Sequence, residues 1–480
     1  MRSIVLTLLL LLSANVTSQE FDGLSMAVES GDYGEIKSLL VSQHGELLYE
    51  DYFLGTDDNT LHQVFSVTKS IGSALIGIAN RQGKIAESDP LGHFFSELYP
   101  MNTDLFRAKR SITVAQVLQQ RHGVMWDEWT LPYFNPANPV NQAENSGDWY
   151  QYFLTRPMEF IPGTEFAYST INSTLMSRMI RVVSGQSTRD FANQQLFSPL
   201  GINSAHWELY SNGGLGQGQT VFPNPDGDVP LGYGLWLRTQ DMLVFGELYL
   251  NGGIHNGQRI LDREWIGKSW QRHSNQQNSQ VIKDFDIEGY GYQWWIEKIT
   301  DNRGRQFNMY YANGFARQFI IVIPELGLVI ASNADDYVYA GQGIGTLMRE
   351  FILPEIEFEF DQRFTGAWYN PMTVGQGFSL EVIDEDRVIG FWYTYGDNGK
   401  RWFVLNGTIN SNQAELSIIR TEGGRFLQND PVTESEWGTA LLTIQDCYNM
   451  TLDINSDEVE TSIPLTRITG DCDGALTAGD

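Results

Sequence analysis

Across residues 36–53, apolar and polar positions alternate on either side of His44-Gly45, which predicts two strands joined as a hairpin. The period then changes. Residues 71–79 are apolar at helical spacing, and with Ser66 at the head of the run they predict a helix over 66–81, closed near Gly83. Residues 112–120 read as a short helix with Thr113 as its cap, and residues 126–149, rich in Trp, Pro and Asn, read as a long ordered loop of the kind that often forms a binding surface. Leu175, Met176, Met179 and Ile180 mark a second helical stripe, and 239–250 marks a third. Residues 319–323 and 328–331 are apolar runs separated by Pro324-Glu325-Leu326-Gly327, a hairpin signal, and 339–351 reads as a last helix. Strands at both ends with helices between predict an α/β domain over 27–355, an antiparallel sheet flanked by helices and carrying a helical subdomain.

Beyond an acidic linker at 356–362, which follows Pro354, the pattern becomes short alternating strands: Phe378, Leu380 and Val382 alternate with Ser379 and Glu381, and Gly396-Asp397-Asn398-Gly399 separates two aromatic runs. Residues 363–480 are therefore predicted as a small antiparallel all-β domain. Its Trp368, Tyr369, Trp392, Tyr393 and Trp402 have two readings, a carbohydrate-stacking face or the filling of a sheet interior, and period-two aromatics ordinarily do the second.

Composition narrows the partners. A net charge of -28 over 480 residues disfavours nucleic acid and anionic membrane surfaces, and the acidic residues are spread along the chain rather than gathered in a tail. Residues 1–18 read as a signal peptide: Arg2, a short apolar run at 4–12, then small and polar residues ending at Ser18. A periplasmic or secreted protein without a membrane anchor is expected. Cys447 and Cys472 then most simply pair as one disulfide, closing a loop worth about 3 kcal/mol by chain entropy. There is no His-Glu-x-x-His and no clustered Cys/His set, so no metal and no cofactor are expected.

The candidate chemistry starts at Ser66 and Lys69. Three residues apart on one helix, they share a face, with Ser66 at the end where free N–H groups favour developing negative charge. A serine there can attack a carbonyl, and a desolvated lysine can take its proton. The plainer reading is a helix cap followed by a solvated lysine. Yet Lys69 is the only lysine with a serine three residues before it.

Ser66-Val67-Thr68-Lys69, Phe166-Ala167-Tyr168-Ser169-Thr170 and Ala312-Asn313-Gly314-Phe315, in that order, resemble the three motifs of the serine β-lactamase-like hydrolases. Among these the likeness is to class C β-lactamases, family VIII carboxylesterases and 6-aminohexanoate-dimer hydrolases. Pro162-Gly163-Thr164 and Pro199-Leu200-Gly201 look like further landmarks. The resemblance implies Ser66 as nucleophile, Lys69 with Tyr168 as base system, and the Ser66 and Phe315 N–H groups as oxyanion hole. It places Thr170, Asn172, Asn313 and Gly314 toward substrate, and Arg317, two residues past Phe315, is a candidate substitute for a substrate-binding cation whose direction sequence does not give. Two positions depart from the pattern: Ala312 stands where β-lactamases and penicillin-binding proteins have a lysine or histidine, and Thr170 where asparagine is common. Loss of that cation weakens selection for anionic substrates, so a small-molecule ester or amide, or a peptide-like substrate, is expected. His122, where many relatives have serine, has no account from sequence. The alternatives are a β-lactamase or D-Ala-D-Ala carboxypeptidase and, in another class, a non-catalytic protein that holds glycan or cell wall through its β domain. The C-terminal domain also resembles a module of secreted bacterial proteins with Trp-Tyr-x-Pro and Gly-x-Gly-Phe patterns. Among Ser-His-Asp esterases the expected Gly-x-Ser-x-Gly is missing here.

Overall fold

The computed structural model describes residues 21, 23–208, 210–211, 214–215, 222–275, 284–302, 304–356, 358, 360–396, 399–424 and 428–469. The expected signal peptide at 1–18 and Cys472 lie outside the described residues.

An eight-stranded antiparallel sheet organises the first domain, in the spatial order Ser274–Asn275, Gly289–Tyr290, Trp295–Thr300, Gln306–Gly314, Gln318–Ile323, Leu328–Ala334, Ile36–Gln43, Glu46–Tyr52. The two ends of the domain meet where Leu40 pairs with Ala331, which is the expected completion of the sheet by N- and C-terminal strands. Both faces of its centre are covered, which is why these strands are apolar at nearly every position. Leu40, Ile320, Val322, Val329 and Ala331 pack with the helical subdomain. Their alternating neighbours Leu39, Val41, Ile321, Ile323, Leu328 and Ile330 pack with the C-terminal helix around Ile344 and Leu347.

The helix Val67–Arg81 runs through the first of these cores, buried from Val67 to Ala79. It lies against Thr170–Ser184, which is capped by Ser169 Oγ accepting from Asn172 N–H. The expected cap of the short helix Val114–Leu118 is a full capping box, Thr113 with Gln116. The expected long loop is only partly loop, since it contains the helix Pro139–Asn145, started by Asn138 and Pro139.

The second domain is a closed eight-stranded up-and-down barrel in which each strand pairs with the next and Gly366–Tyr369 closes on Glu460–Arg467. Its aromatics divide by alternation. Trp368 and Trp392 point inward, Trp392 stacking on Phe378 and Phe403. Tyr393 and Trp402 are direct cross-strand partners on the outer face, 53% and 47% exposed. The segment read as a linker is a packed joint: Phe358 and Phe360 are buried, Phe358 lies 5.8 Å from Phe307, and Arg363 donates to the Pro324 and Glu325 carbonyls of the first domain.

Candidate active site

The chain turns into the Val67–Arg81 helix through a tight, partly strained entry. Phe65 has φ +45°, and the first bonds are of the i to i−3 type, Val67 N to Val64 O, Thr68 N to Phe65 O and Lys69 N to Ser66 O. This entry holds Ser66 half-exposed while Lys69, one turn on, is buried. The Lys69 Nζ lies 2.8 Å from Ser66 Oγ, 3.1 Å from Thr170 Oγ1 and 2.8 Å from the Gly232 carbonyl. Gly232 must be glycine for that contact, because a Cβ there would sit 2.2 Å from the Thr170 carbonyl. Burial pulls the Lys69 amine down to about 7 from its usual 10.5, against an opposing pull from the nearby Glu128 carboxylate.

Tyr168 faces the same pair. Its ring is stacked between Trp129 (5.1 Å) and Trp295 (5.6 Å), and the Lys69 Nζ lies 4.7 Å from its centre. Its hydroxyl interacts with Ser66, and burial, reinforced by Glu128, raises it well above the usual phenol value, so it stays protonated. The extended segment carrying Tyr168 is fixed by His122. That ring is buried, accepts at Nδ1 from Val124 N–H (3.0 Å), and therefore donates from Nε2 to the Ala167 carbonyl at 2.8 Å. Burial holds His122 neutral, down to about 4. Sequence gave no account of this residue; its role is to clamp the backbone next to Tyr168.

The third segment arrives along the strand Gln306–Gly314. Gly314 passes so close to the Val64 carbonyl that a Cβ would lie 2.3 Å from it, which brings Phe315 beside the Ser66 turn. The Phe315 and Phe65 rings meet edge-on at 5.6 Å, and Tyr133 meets Phe315 at 5.4 Å. Among the described residues neither the Ser66 nor the Phe315 N–H has a hydrogen-bond partner. Ala312 is buried and Asn313 half-exposed in the same strand.

Two residues expected at the substrate are committed elsewhere. Arg317 is buried, ion-paired to Asp336 at 2.8 Å and Asp284 at 3.3 Å, and donates to the Tyr33 and Ala340 carbonyls. Its charge holds the turn behind Phe315, where Ala316 and Arg317 both have positive φ, and it does not replace the cation missing at Ala312. Asn172 is buried with its amide donating to Val117 O and Gln120 Oε1, because the helix starting at Thr170 turns it away from Lys69. Thr170 is at the site, on Lys69.

One site residue was invisible in the sequence. Glu128, buried inside the long loop, accepts from Trp126 Nε1 (2.7 Å), Tyr133 OH (2.9 Å), Thr170 N–H (2.8 Å) and Thr170 Oγ1–H (2.8 Å). The only sequence signal was a pair of acidic residues, Asp127 and Glu128, set between tryptophans.

A serine on a lowered-pKa lysine, with a protonated tyrosine and two unengaged N–H groups, is an arrangement able to form and resolve an acyl-enzyme. A profile of the Beta-lactamase family matches residues 32–338. The chain belongs to the β-lactamase family. Over 271 residues it is 22% identical to a 6-aminohexanoate-dimer hydrolase of Paenarthrobacter ureafaciens, covering 54% of this chain and 63% of that protein. Over 260 residues it is 22% identical to a β-lactamase of Pseudomonas fluorescens, covering 49% of this chain and 68% of that one. The chain thus spans just under two thirds of the length of the first of these relatives. A crystal structure of a family VIII carboxylesterase shares the fold with a TM-score of 0.51 at 15% identity, over 70% of this chain and 98% of the other. Among the described residues of this β-lactamase-family chain, no helix is long and apolar enough to cross a membrane, and no group of three metal-ligating side chains occurs.

Proposed function

We propose that this protein is an exported serine hydrolase that cleaves carboxylic esters or amides through an acyl-enzyme on Ser66. The observation that carries the reading is the Lys69 Nζ, 2.8 Å from Ser66 Oγ and brought by burial to about 7, where it is a competent base at neutral pH. Lys69 takes the Ser66 proton as Oγ attacks, and Tyr168, remaining a phenol, relays a proton toward the leaving group. The Ser66 and Phe315 N–H groups receive the oxyanion, and water then resolves the acyl-enzyme. The preferred acyl part carries no anion, since Ala312 supplies no cation and Arg317 is neutralised by Asp284 and Asp336. Aromatic side chains at Phe65, Tyr133 and Tyr337 instead pack against Phe315 beside Ser66.

Export through residues 1–18, and pairing of the buried Cys447 with Cys472 in an oxidising compartment, belong to the same proposal. The outer-face pair Tyr393 and Trp402 supports a second role for the barrel, glycan contact by ring stacking.

The test is turnover of p-nitrophenyl butyrate and of a penicillin by wild type and by Ser66→Ala. Ester turnover that vanishes in Ser66→Ala, with no stable penicillin adduct by intact mass, is the expected result. A long-lived penicillin adduct on Ser66 moves the assignment to cell-wall chemistry, and no reaction with either reagent on folded protein removes the catalytic reading.

A further inference from the structure

We propose that Glu128 sets the direction of proton flow between Ser66 and Lys69, acting through the hydroxyl of Thr170. The inference rests on Ser66 being the nucleophile. It follows from counting protons around Lys69. A neutral lysine amine has two N–H bonds and one lone pair, and three oxygens surround it: Ser66 Oγ, Thr170 Oγ1 and Gly232 O. The Gly232 carbonyl can only accept. A threonine hydroxyl can accept or donate, so on its own it would leave the lone pair a choice between Thr170 and Ser66.

Glu128 removes the choice. Its four donors fill the four lone-pair sites of an ionised carboxylate, and one of them is the Thr170 hydroxyl proton. With that proton committed, Thr170 Oγ1 only accepts from Lys69. The two Lys69 N–H bonds then go to Thr170 and Gly232, and the lone pair is left facing Ser66 Oγ–H. Glu128 touches neither Ser66 nor Lys69, so it is a positioning residue rather than a catalytic one. The arrangement also explains why threonine serves in place of the asparagine common at this point: an amide oxygen accepts unaided, whereas a hydroxyl needs a carboxylate behind it.

Glu128→Gln is close in shape and inverts the logic. The Oε2 partners, Trp126 Nε1 and the Thr170 N–H, can only donate, so the new NH2 group must turn to the Oε1 side. There it donates to Tyr133 and Thr170, freeing the Thr170 proton to capture the Lys69 lone pair. Beside Lys69 lies the ring of Tyr168, and the titratable groups around Tyr168 in turn are Tyr133, Tyr290 and Tyr339, all four raised by burial and uncharged at neutral pH. Glu128 is thus the charge that the acid limb of the rate profile feels.

The experiment compares kcat, KM and the pH profile for p-nitrophenyl butyrate in wild type, Ser66→Ala, Glu128→Gln and Glu128→Gln with Thr170→Asn. The expected result is a kcat about 100-fold lower in Glu128→Gln with KM within about twofold, the scale of losing a general base. Its acid limb moves to lower pH, because the carboxylate that raised Lys69 is gone. Adding Thr170→Asn, whose amide oxygen accepts from Lys69 without help, recovers kcat by about tenfold or more. If Glu128→Gln does not fold, Thr170→Val, which removes the hydroxyl and keeps the carboxylate, carries the same expectation of lost kcat at retained KM. Wild-type kcat and acid limb in Glu128→Gln overturn the inference. So does a loss that tracks melting temperature, with no limb shift and no recovery by Thr170→Asn. A wild type whose turnover survives Ser66→Ala overturns the nucleophile reading first, and this inference with it.

Discussion

The backbone of Gly314 lies against the carbonyl of Val64, close enough that a Cβ would come within 2.3 Å of the oxygen. One residue beyond Gly314 is the Phe315 N–H, and two beyond Val64 is Ser66, so this single contact registers both halves of the proposed oxyanion hole. Gly314→Ala must push the strand end and the Ser66 turn apart. A fall in kcat/KM of about 100- to 1,000-fold is expected, the cost of losing one oxyanion donor, with the circular dichroism spectrum retained. Unchanged kcat/KM would show that the Phe315 N–H is not used.

Lys69 works as base only when neutral. With its amine at about 7, kcat/KM should rise with pH through that value and level off above it. Lys69→Arg, which cannot lose its proton, should be inactive at every pH although it keeps the charge. A profile already flat well below neutrality would mean that another group takes the proton.

Arg317 is expected to matter for stability. Arg317→Ala leaves Asp284 and Asp336 buried without their cation and should cost about 3–5 kcal/mol in urea unfolding. A cost under about 1 kcal/mol would indicate that both carboxyls take up protons or water at little expense.

His122 should make the fold acid-sensitive. Unfolded histidine binds a proton near 6.5, the buried ring only near 4, so the unfolded state gains protons as pH falls through that window and stability drops with it. The difference corresponds to about 3 kcal/mol between pH 7.5 and pH 4. His62 is lowered to about 4 as well, so the comparison is between wild type and His122→Ala: the variant should be less stable at pH 7.5 but show a shallower loss toward pH 4. Parallel curves would exclude His122 as the source.

What sequence could show depended on how far apart the interacting residues lie. Ser66 and Lys69 are one helical turn apart, and the strand at 36–43 and the apolar runs at 319–323 and 328–331 are written in consecutive residues, so both were legible. Glu128 was not. Its partners at Trp126 and Tyr133 are local, but Thr170 is 42 residues away, and nothing in a Trp- and Pro-rich loop marks one carboxylate as buried. The direction of Arg317 could not be read from sequence, because the two aspartates that claim it come from 284 and 336. In the second domain alternation was readable, but closure into a barrel depends on Trp368 pairing with Arg467, nearly the full length of the domain apart.

The central claim is that Ser66 is a nucleophile activated by Lys69. The most direct measurement is the rate of phosphonate labelling as a function of pH, with the adduct located by peptide mass mapping. The account expects one adduct, on Ser66, forming at a rate that rises with pH to half its plateau near 7, and no adduct in Ser66→Ala. Labelling that persists in Ser66→Ala, or a Ser66 rate that is the same above and below neutrality, would contradict it.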